Sequence, residues 1–395
     1  MSGYELLCGD CREVLPTLPA GSVHCCITSP PYWGLRDYGV AGQVGRETTP
    51  DGYIAALVRI FGDVRRVLRD DGTLWLNLGD CYAGYWGAKY AHKPFGANRT
   101  ADASTPPNKP SFPFHASAIK PKDLLGLPWR VAFALQEDGW YLRTDIVWEK
   151  PNCLPESVKD RPTRSHEFLF LLTKQRRYFY DADAIMEPLM PESLRRYTSG
   201  LHSAYGDAED YGGKHSHNMA QAECMGDYMN AAGRNRRTVW RIPTKPFRGA
   251  HFAVFPPRLV EPCLLAATSA HGVCPACGAP WARLVERQSV TAHDGETDSG
   301  YATGSRANRM ALLRQAARAQ GEEYVTRRVT VGWQPTCACG MTETAPATVL
   351  DPFAGAGTTG LVALSHGRRF LGIELNADYC ALARERLTGE GVHDG

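Results

Sequence analysis

The sequence predicts an α/β fold in which a mostly parallel sheet carries helices on both faces. Three observations predict it. Short apolar runs at 23–27, 73–78 and 347–350 have the length and Val/Ile/Leu content of strands buried on both faces. Between the first two, apolar residues recur at helical spacing at Ile54, Leu57, Val58, Phe61, Val64 and Leu68. A turn containing Gly355, Gly357 and Gly360 then follows the last strand directly and opens a helix, as in ligand-binding βα units.

The first element is a strand over 5–8 that ends in the turn Gly9-Asp10, and 11–18 has room for one or two helical turns. The central strand, 23–27, is stopped by Pro30 and Pro31, which fix two φ angles and remove two backbone donors. The loop 28–33 therefore offers free carbonyls, the Ser29 hydroxyl and two exposed aromatics, Tyr32 and Trp33. It lies at the C-terminal edge of a strand, where open α/β sheets bind ligands. A glycine-bracketed polar segment, 34–39, follows. The helix over 54–68 ends at Asp70-Asp71-Gly72 and the strand 73–78 comes next. From 82 to about 120 the chain is rich in Gly, Ala, Pro, Asn and Lys without periodicity, and reads as an insertion. A helix over 124–136, a strand over 139–148 and a hairpin-like pair, 168–172 with 178–180, come after it. The stretch from 190 to about 233 is polar and aperiodic. The final strand, 369–375, carries Glu374 at its tip, 19 residues after the first glycine of the turn.

Composition bounds the function. Lys plus Arg exceed Asp plus Glu by only two in 395 residues, so any affinity for nucleic acid must come from local patches. A polar start, Met1-Ser2-Gly3-Tyr4-Glu5, and the lack of an apolar run of spanning length predict a cytoplasmic protein without membrane contact. The 13 cysteines are then reduced, most of them as small buried hydrophobes.

Four groups of residues carry chemistry. The 28–33 loop suits methylation of an exocyclic amine on a nucleobase, whose lone pair is delocalised and poorly nucleophilic. The Ser29 hydroxyl and the Pro30 carbonyl would accept both amine N–H bonds and turn the lone pair outward, while a flipped base stacks on Tyr32. Taken alone, the same residues also read as a Pro-Pro turn closing a strand. The second group is Arg234, Arg236, Arg237, Arg241, Lys245 and Arg248, with Trp240 and Phe247 interleaved and no acid between them. That is the footprint of a nucleic-acid groove or, by itself, of a solvated basic surface. The third comprises two close cysteine pairs, Cys274/Cys277 and Cys337/Cys339, 59 residues apart, with the donor set of a tetrahedral structural zinc site. Four free thiols are the other reading, and His271 is a substitute ligand. Cys263 sits in an apolar helical run and belongs to the core, not to a covalent mechanism. His166 and Glu167 lack a second ligand at helical spacing, so packing or substrate positioning suits them better than metal binding. The fourth group is the glycine turn, where Glu374 is placed to accept both hydroxyls of a ribose. A nicotinamide dehydrogenase uses the same geometry, whereas a P-loop is excluded because no Lys follows the glycines.

Thr28-Ser29-Pro30-Pro31-Tyr32, together with Asp351-Pro352-Phe353 ahead of the glycines, resembles the two motifs of the amino-methylating DNA methyltransferases. Their order, Pro-Pro-Tyr first and the glycine loop last, resembles that of the family's β group. The resemblance implies a Rossmann-like, S-adenosylmethionine-dependent methyltransferase fold, circularly permuted, with a small zinc-knuckle subdomain added. It covers about 4–80, 122–188, 247–265 and 345–390. The implied division is a catalytic half at 1–188 with the insertion at about 82–120, and a variable basic target-recognition region at 189–248. A lead-in at 249–268, a zinc-knuckle insertion at 269–344 and a cofactor half at 345–395 complete it. Ser29, Pro30, Pro31 and Tyr32 would be catalytic. S-adenosyl-L-methionine would contact Asp10, Phe255, Asp351, Pro352, Phe353, Gly355, Gly357, Thr358, Thr359 and Glu374. Trp33 and the six basic residues would contact double-stranded DNA, and Cys274, Cys277, Cys337 and Cys339 would hold structural zinc. The serine form of the motif resembles the N4-cytosine enzymes, with N6-adenine as the alternative. A cognate restriction endonuclease is the implied partner, and the chain would act as a monomer or a homodimer. An RNA or protein-glutamine methyltransferase, or an inactive DNA-binding module, is the remaining alternative.

Overall fold

A computed structural model describes residues 3–35, 38–83, 120–188, 233–244, 255–291 and 324–389. The chain divides into two units. The first comprises Met1–Asp181, Thr238–Pro280 and Cys337–Gly395, and the second Ala182–Arg237 and Trp281–Thr336.

In the first unit, Val, Ile and Cys side chains make β2, Val23–Thr28, a buried strand at the middle of an eight-stranded sheet. Around it stand β1 (Tyr4–Cys8), β3 (Leu68–Leu78), β4 (Tyr141–Glu149), β5 (His166–Thr173), β6 (Val239–Arg241), β9 (Thr348–Asp351) and β10 (Arg369–Glu374). The order is β1-β10-β9-β2-β3-β5-β4-β6, and every neighbouring pair is parallel except those made by β5. The expected mostly parallel sheet is present, drawn from both ends of the chain.

Helix α1, Cys11–Val14, is capped by Asp10. Helix α2, Pro50–Val67, starts where the Thr49 hydroxyl accepts the Gly52 N–H at 3.0 Å and proline occupies the first turn. Its Tyr53, Leu57, Ile60, Phe61 and Val64 form one buried stripe facing the sheet. Helix α3 spans Leu127–Glu137 and α4 spans Pro257–Ala267. Helices α5, Thr358–Ser365, and α6, Ala377–Thr388, flank β10 in sequence.

Two expectations are corrected. Asp70-Asp71-Gly72 does not end α2, because the chain turns extended at Leu68 and these residues bulge within β3. Residues 178–180 form no strand. Instead β5 pairs with β3 and β4, and the Phe179 N–H bonds the Asp71 carbonyl at 2.9 Å.

In the second unit, β7 (Trp281–Thr291) and β8 (Tyr324–Pro335) form an antiparallel ladder from Trp281↔Pro335 to Thr291↔Tyr324. Near it Arg283 stacks over Trp333 at 4.5 Å and Arg328 pairs with Asp183 at 2.9 Å. No helix among the described residues is long and apolar enough to cross a membrane. Most of the predicted insertion at about 82–120 and of the variable region lies outside the described residues.

Candidate active site

The glycine turn leaves β9 at Asp351, whose carboxylate is buried and fully engaged. Its oxygens accept from the Thr28 hydroxyl at 2.7 Å, the Thr359 hydroxyl at 2.8 Å and the Phe353 N–H at 3.1 Å. Burial pushes this carboxyl up to about 6, against the pull of those donors. Gly355 and Gly357 have φ of +53° and +74°, a left-handed region that glycine enters without strain. Gly360 answers a different need: a Cβ there would stand 2.5 Å from Cδ1 of Phe370, so α5 could not lie this close to β10. The turn is closed from above by Glu374, which accepts the Gly355 N–H at 2.7 Å and the Asn376 N–H at 2.8 Å. Burial raises its pKa. Each oxygen retains a lone pair for a further donor. From the other side, buried Arg386 donates to the Ala356 carbonyl at 2.5 Å.

The Pro-Pro loop leaves the neighbouring strand, β2. Tyr53 donates its hydroxyl to the Pro31 carbonyl at 3.0 Å, and Gly34 and Gly45 close the following turn at 2.9 Å. Tyr32 is half-buried rather than exposed. Its ring lies against Gly79, where a Cβ would come within 2.5 Å of Cε2. Its hydroxyl donates to Glu167 at 2.8 Å, with Asn77 Oδ1 at 3.1 Å, and accepts from the Ser29 hydroxyl at 3.3 Å. Because Ser29 spends its proton on Tyr32, its oxygen lone pairs remain available as acceptors. Asn77 donates to Glu167 at 3.2 Å and to the Phe168 carbonyl at 3.0 Å, and Lys150 pairs with the second Glu167 oxygen. Burial, and then the Glu167 charge, push the Tyr32 phenol well above its usual range. Trp33 departs from expectation. It is buried, with its indole N–H on the Glu47 carbonyl at 2.7 Å, so it is not an exposed aromatic.

Both loops open on one cleft. Of the predicted residues, Asp10, Ser29, Pro31, Phe255, Pro352, Phe353, Gly355, Thr358 and Glu374 line it. Pro30, Asp351 and Thr359 are buried, and neither they nor Tyr32 and Gly357 line the cleft. Asp351 and Thr359 hold its floor together. Tyr38, Gln43, Asn376 and Tyr379 also line it and were not predicted. Asp10 is engaged too, capping α1 and pairing with Arg12, which in turn donates to the Gly42 carbonyl at 2.6 Å.

The sequence matches the model of the DNA methylase family (N6/N4 methyltransferases) over residues 23–274 and 341–385, a span that includes both loops. The chain belongs to this family. It is 39% identical over 393 residues to the Type II methyltransferase M.Cfr9I of Citrobacter freundii, covering 100% of this chain and 90% of that protein. To M.SmaI of Serratia marcescens it is 37% identical over 383 residues, covering 97% and 90%. Among solved structures, the cytosine-N4-specific PvuII DNA methyltransferase superposes with a TM-score of 0.50 at 14% identity, covering 100% of this chain and 89% of that one. At that identity the likeness shows the fold, a Rossmann-like methyltransferase sheet, and nothing finer.

In this methylase the predicted DNA contacts are less free than their sequence suggested. Arg234 and Arg237 both pair with Glu187, at 3.3 and 3.1 Å, and Arg241 pairs with Glu149 at 3.3 Å. Trp240 is buried 6.5 Å from Trp75. Lys245, Phe247 and Arg248 lie outside the described residues. Cys263 is buried in α4, as expected of a core residue. The sulfurs of Cys274, Cys277, Cys337 and Cys339 converge to within 4.8 Å of one another. One pair departs from the expectation of reduced thiols: Cys8 and Cys380 form a disulfide joining the end of β1 to α6.

The missed residues are Asn77, Lys150 and Arg386, and Glu167, expected to serve packing or substrate positioning, was not linked to Tyr32. No spacing rule links Glu167 to a tyrosine 135 residues earlier; only the placement of β5 beside β3 does.

Proposed function

We propose that this methylase transfers a methyl group from S-adenosyl-L-methionine to the exocyclic N4 amine of a cytosine flipped out of double-stranded DNA. The observation that carries the reading is the single cleft shared by the glycine turn and Ser29. The cofactor would lie over Gly355 and Thr358 with its ribose on Glu374, its adenine near Asp10 and Phe353, and its methionine end by Phe255. The group supplies an electrophilic methyl, and the chain's own residues do the rest. Ser29 and the Pro30 carbonyl would accept the amine N–H bonds, and Tyr32 flanks the base, held by Glu167 and Asn77. Transfer is direct and in line. The amine proton becomes acidic once the nitrogen is alkylated, so no strong base is required.

Serine at the first motif position supports cytosine over adenine. Nucleoside mass spectrometry of DNA incubated with the protein and S-adenosylmethionine is the test. N4-methylcytosine is expected. N6-methyladenine would overturn the base assignment alone, and no modified nucleoside on varied duplexes would overturn the DNA substrate.

The likeness to Type II methyltransferases supports a restriction endonuclease of the same specificity as partner, and a cytoplasmic site of action. Arg234, Arg237 and Arg241 would meet the DNA backbone once Glu187 and Glu149 give way, together with Arg236, Lys245 and Arg248.

The cysteine cluster fits a structural zinc ion. Tetrahedral thiolates at about 2.3 Å from zinc stand roughly 3.8 Å apart, so sulfurs already within 4.8 Å need only settle inward.

A further inference from the structure

The cysteine knuckle is fastened to the sheet through its backbone. The Cys277 carbonyl accepts from Arg69 at 2.6 Å, and Arg69 is itself held by both oxygens of Asp71, at 2.9 and 3.1 Å. The next carbonyl, of Gly278, lies 3.0 Å from Nε2 of His24. On the other side of that ring, Nδ1 accepts the Thr348 N–H at 3.0 Å. A ring nitrogen that accepts carries no proton, so the proton of neutral His24 sits on Nε2 and is donated to Gly278. His24 therefore joins three pieces of chain: the knuckle, β2 that bears it, and the first residue of β9.

Those two strands meet along a short seam. β2 and β9 pair only at Cys25↔Val349 and Cys26↔Leu350. The far end of the seam is tied by Thr28 to Asp351 and the near end by His24 to Thr348. Ser29 leaves one strand and the glycine turn leaves the other, so the seam sets the distance between the two walls of the cleft. The knuckle also stands where the chain quits the first unit after Pro280 and re-enters it at Cys337. On the first unit's side, the Val273↔Ala345 bridge ties the chain before Cys274 to the chain after Cys339.

We propose that zinc held by Cys274, Cys277, Cys337 and Cys339 acts as a clasp on this seam. By fixing the Cys277 and Gly278 carbonyls it holds Arg69 and His24, and through them the setting of β2 against β9. The clasp rests on the zinc reading above and adds to it a coupling between metal occupancy and cofactor binding at a cleft the metal does not touch.

The experiment begins with metal content of the full chain by plasma mass spectrometry. One zinc per chain is expected, and none in protein made with zinc supplied would overturn the zinc reading and the clasp with it. Hydrogen exchange and calorimetric binding of S-adenosylmethionine are then compared before and after chelation. The stripped protein should exchange faster at 25–26 and 348–350 and bind the cofactor about tenfold more weakly, a usual size for coupling between sites. Zinc removed with the seam and the affinity unchanged would overturn the clasp and leave the zinc site standing. His24→Ala guards against collapse of the stripped chain. It keeps all four ligands and one zinc, yet should lose a similar factor in cofactor affinity, with little further loss on chelation. Wild-type affinity in that variant would overturn the proposal.

Discussion

The glycine turn and the Pro-Pro loop border one cleft and hang from adjacent strands, yet they are held by different means. The glycine turn is fastened mostly from nearby in the chain, by Thr359 at 8 residues from Asp351, Glu374 at 19 from Gly355 and Arg386 at 30 from Ala356. Its conformation is built into its glycines, and its floor is a buried carboxylate with every donor supplied. The Pro-Pro loop has two stiff residues and then depends on remote chain. Tyr32 is held by Asn77, 45 residues away, and by Glu167, 135 residues away, with Lys150 behind it. A turn of the first kind is complete before ligand arrives. A loop of the second kind is only as well placed as the strands β3, β4 and β5 that carry its partners.

Breaking each wall separately should separate the two functions, and these are the largest effects expected. Tyr32→Ala removes the surface flanking the base and should lower kcat by about a hundredfold or more while S-adenosylmethionine binding is retained. Glu374→Ala should do the reverse, weakening cofactor binding about tenfold, the worth of one lost charge-assisted hydrogen bond, before turnover at saturating cofactor suffers. Calorimetry alongside steady-state methylation reads both. Loss of cofactor binding in the tyrosine variant would sink the division of labour between the walls.

Glu167→Gln sharpens the comparison. The amide keeps the shape but exchanges a charged acceptor for a neutral one and gives up the ion pair with Lys150. A fall in kcat of about tenfold is expected, with cofactor affinity unchanged. Glu167→Ala should cost more than Glu167→Gln, because Tyr32 would lose its acceptor altogether. Equal activity of both variants and wild type would show that Tyr32 keeps its place without Glu167.

Legibility in the sequence follows the same division. The glycine turn and Glu374 were readable because their restraints lie within one βαβ unit, where spacing is fixed by one helix and one strand. Ser29 and the two prolines were readable because proline dictates its own backbone. Glu167 was read as packing or positioning a substrate but not as the partner of Tyr32, since that contact depends on β5 inserting antiparallel beside β3. Trp33 was taken for an exposed aromatic because sequence gives its apolar surface but not the Glu47 carbonyl that receives its indole. Arg234 and Arg237 looked unpaired because Glu187, which receives both, lies more than forty residues upstream. The bulge at 70–72 was missed for a smaller reason: Asp-Asp-Gly is also a good helix stop, and only pairing with β2 distinguishes the two.

The last expected effect concerns the floor of the glycine turn and is read in stability rather than in rate. The Asp351 carboxyl titrates at about 6 in the folded chain, against 3.8 for a free side chain. Between those values the native protein holds a proton that the unfolded chain has lost. Stability from this residue is therefore present at the acid end of the window and falls as pH rises from about 4 to about 6, by up to about 3 kcal/mol. Asp351→Asn cannot ionise and should remove that slope. Its amide nitrogen takes the place of one oxygen and faces a group that donated there, so the variant should be the less stable protein at pH 4.5. Its deficit should shrink by pH 6.5, as the wild-type carboxylate becomes a buried charge. Urea unfolding at the two pH values measures the difference. A deficit that stays constant would mean that the donors from Thr28, Thr359 and Phe353 already hold the carboxylate ionised across the range, and that the floor of the turn is a charged site at every pH tested.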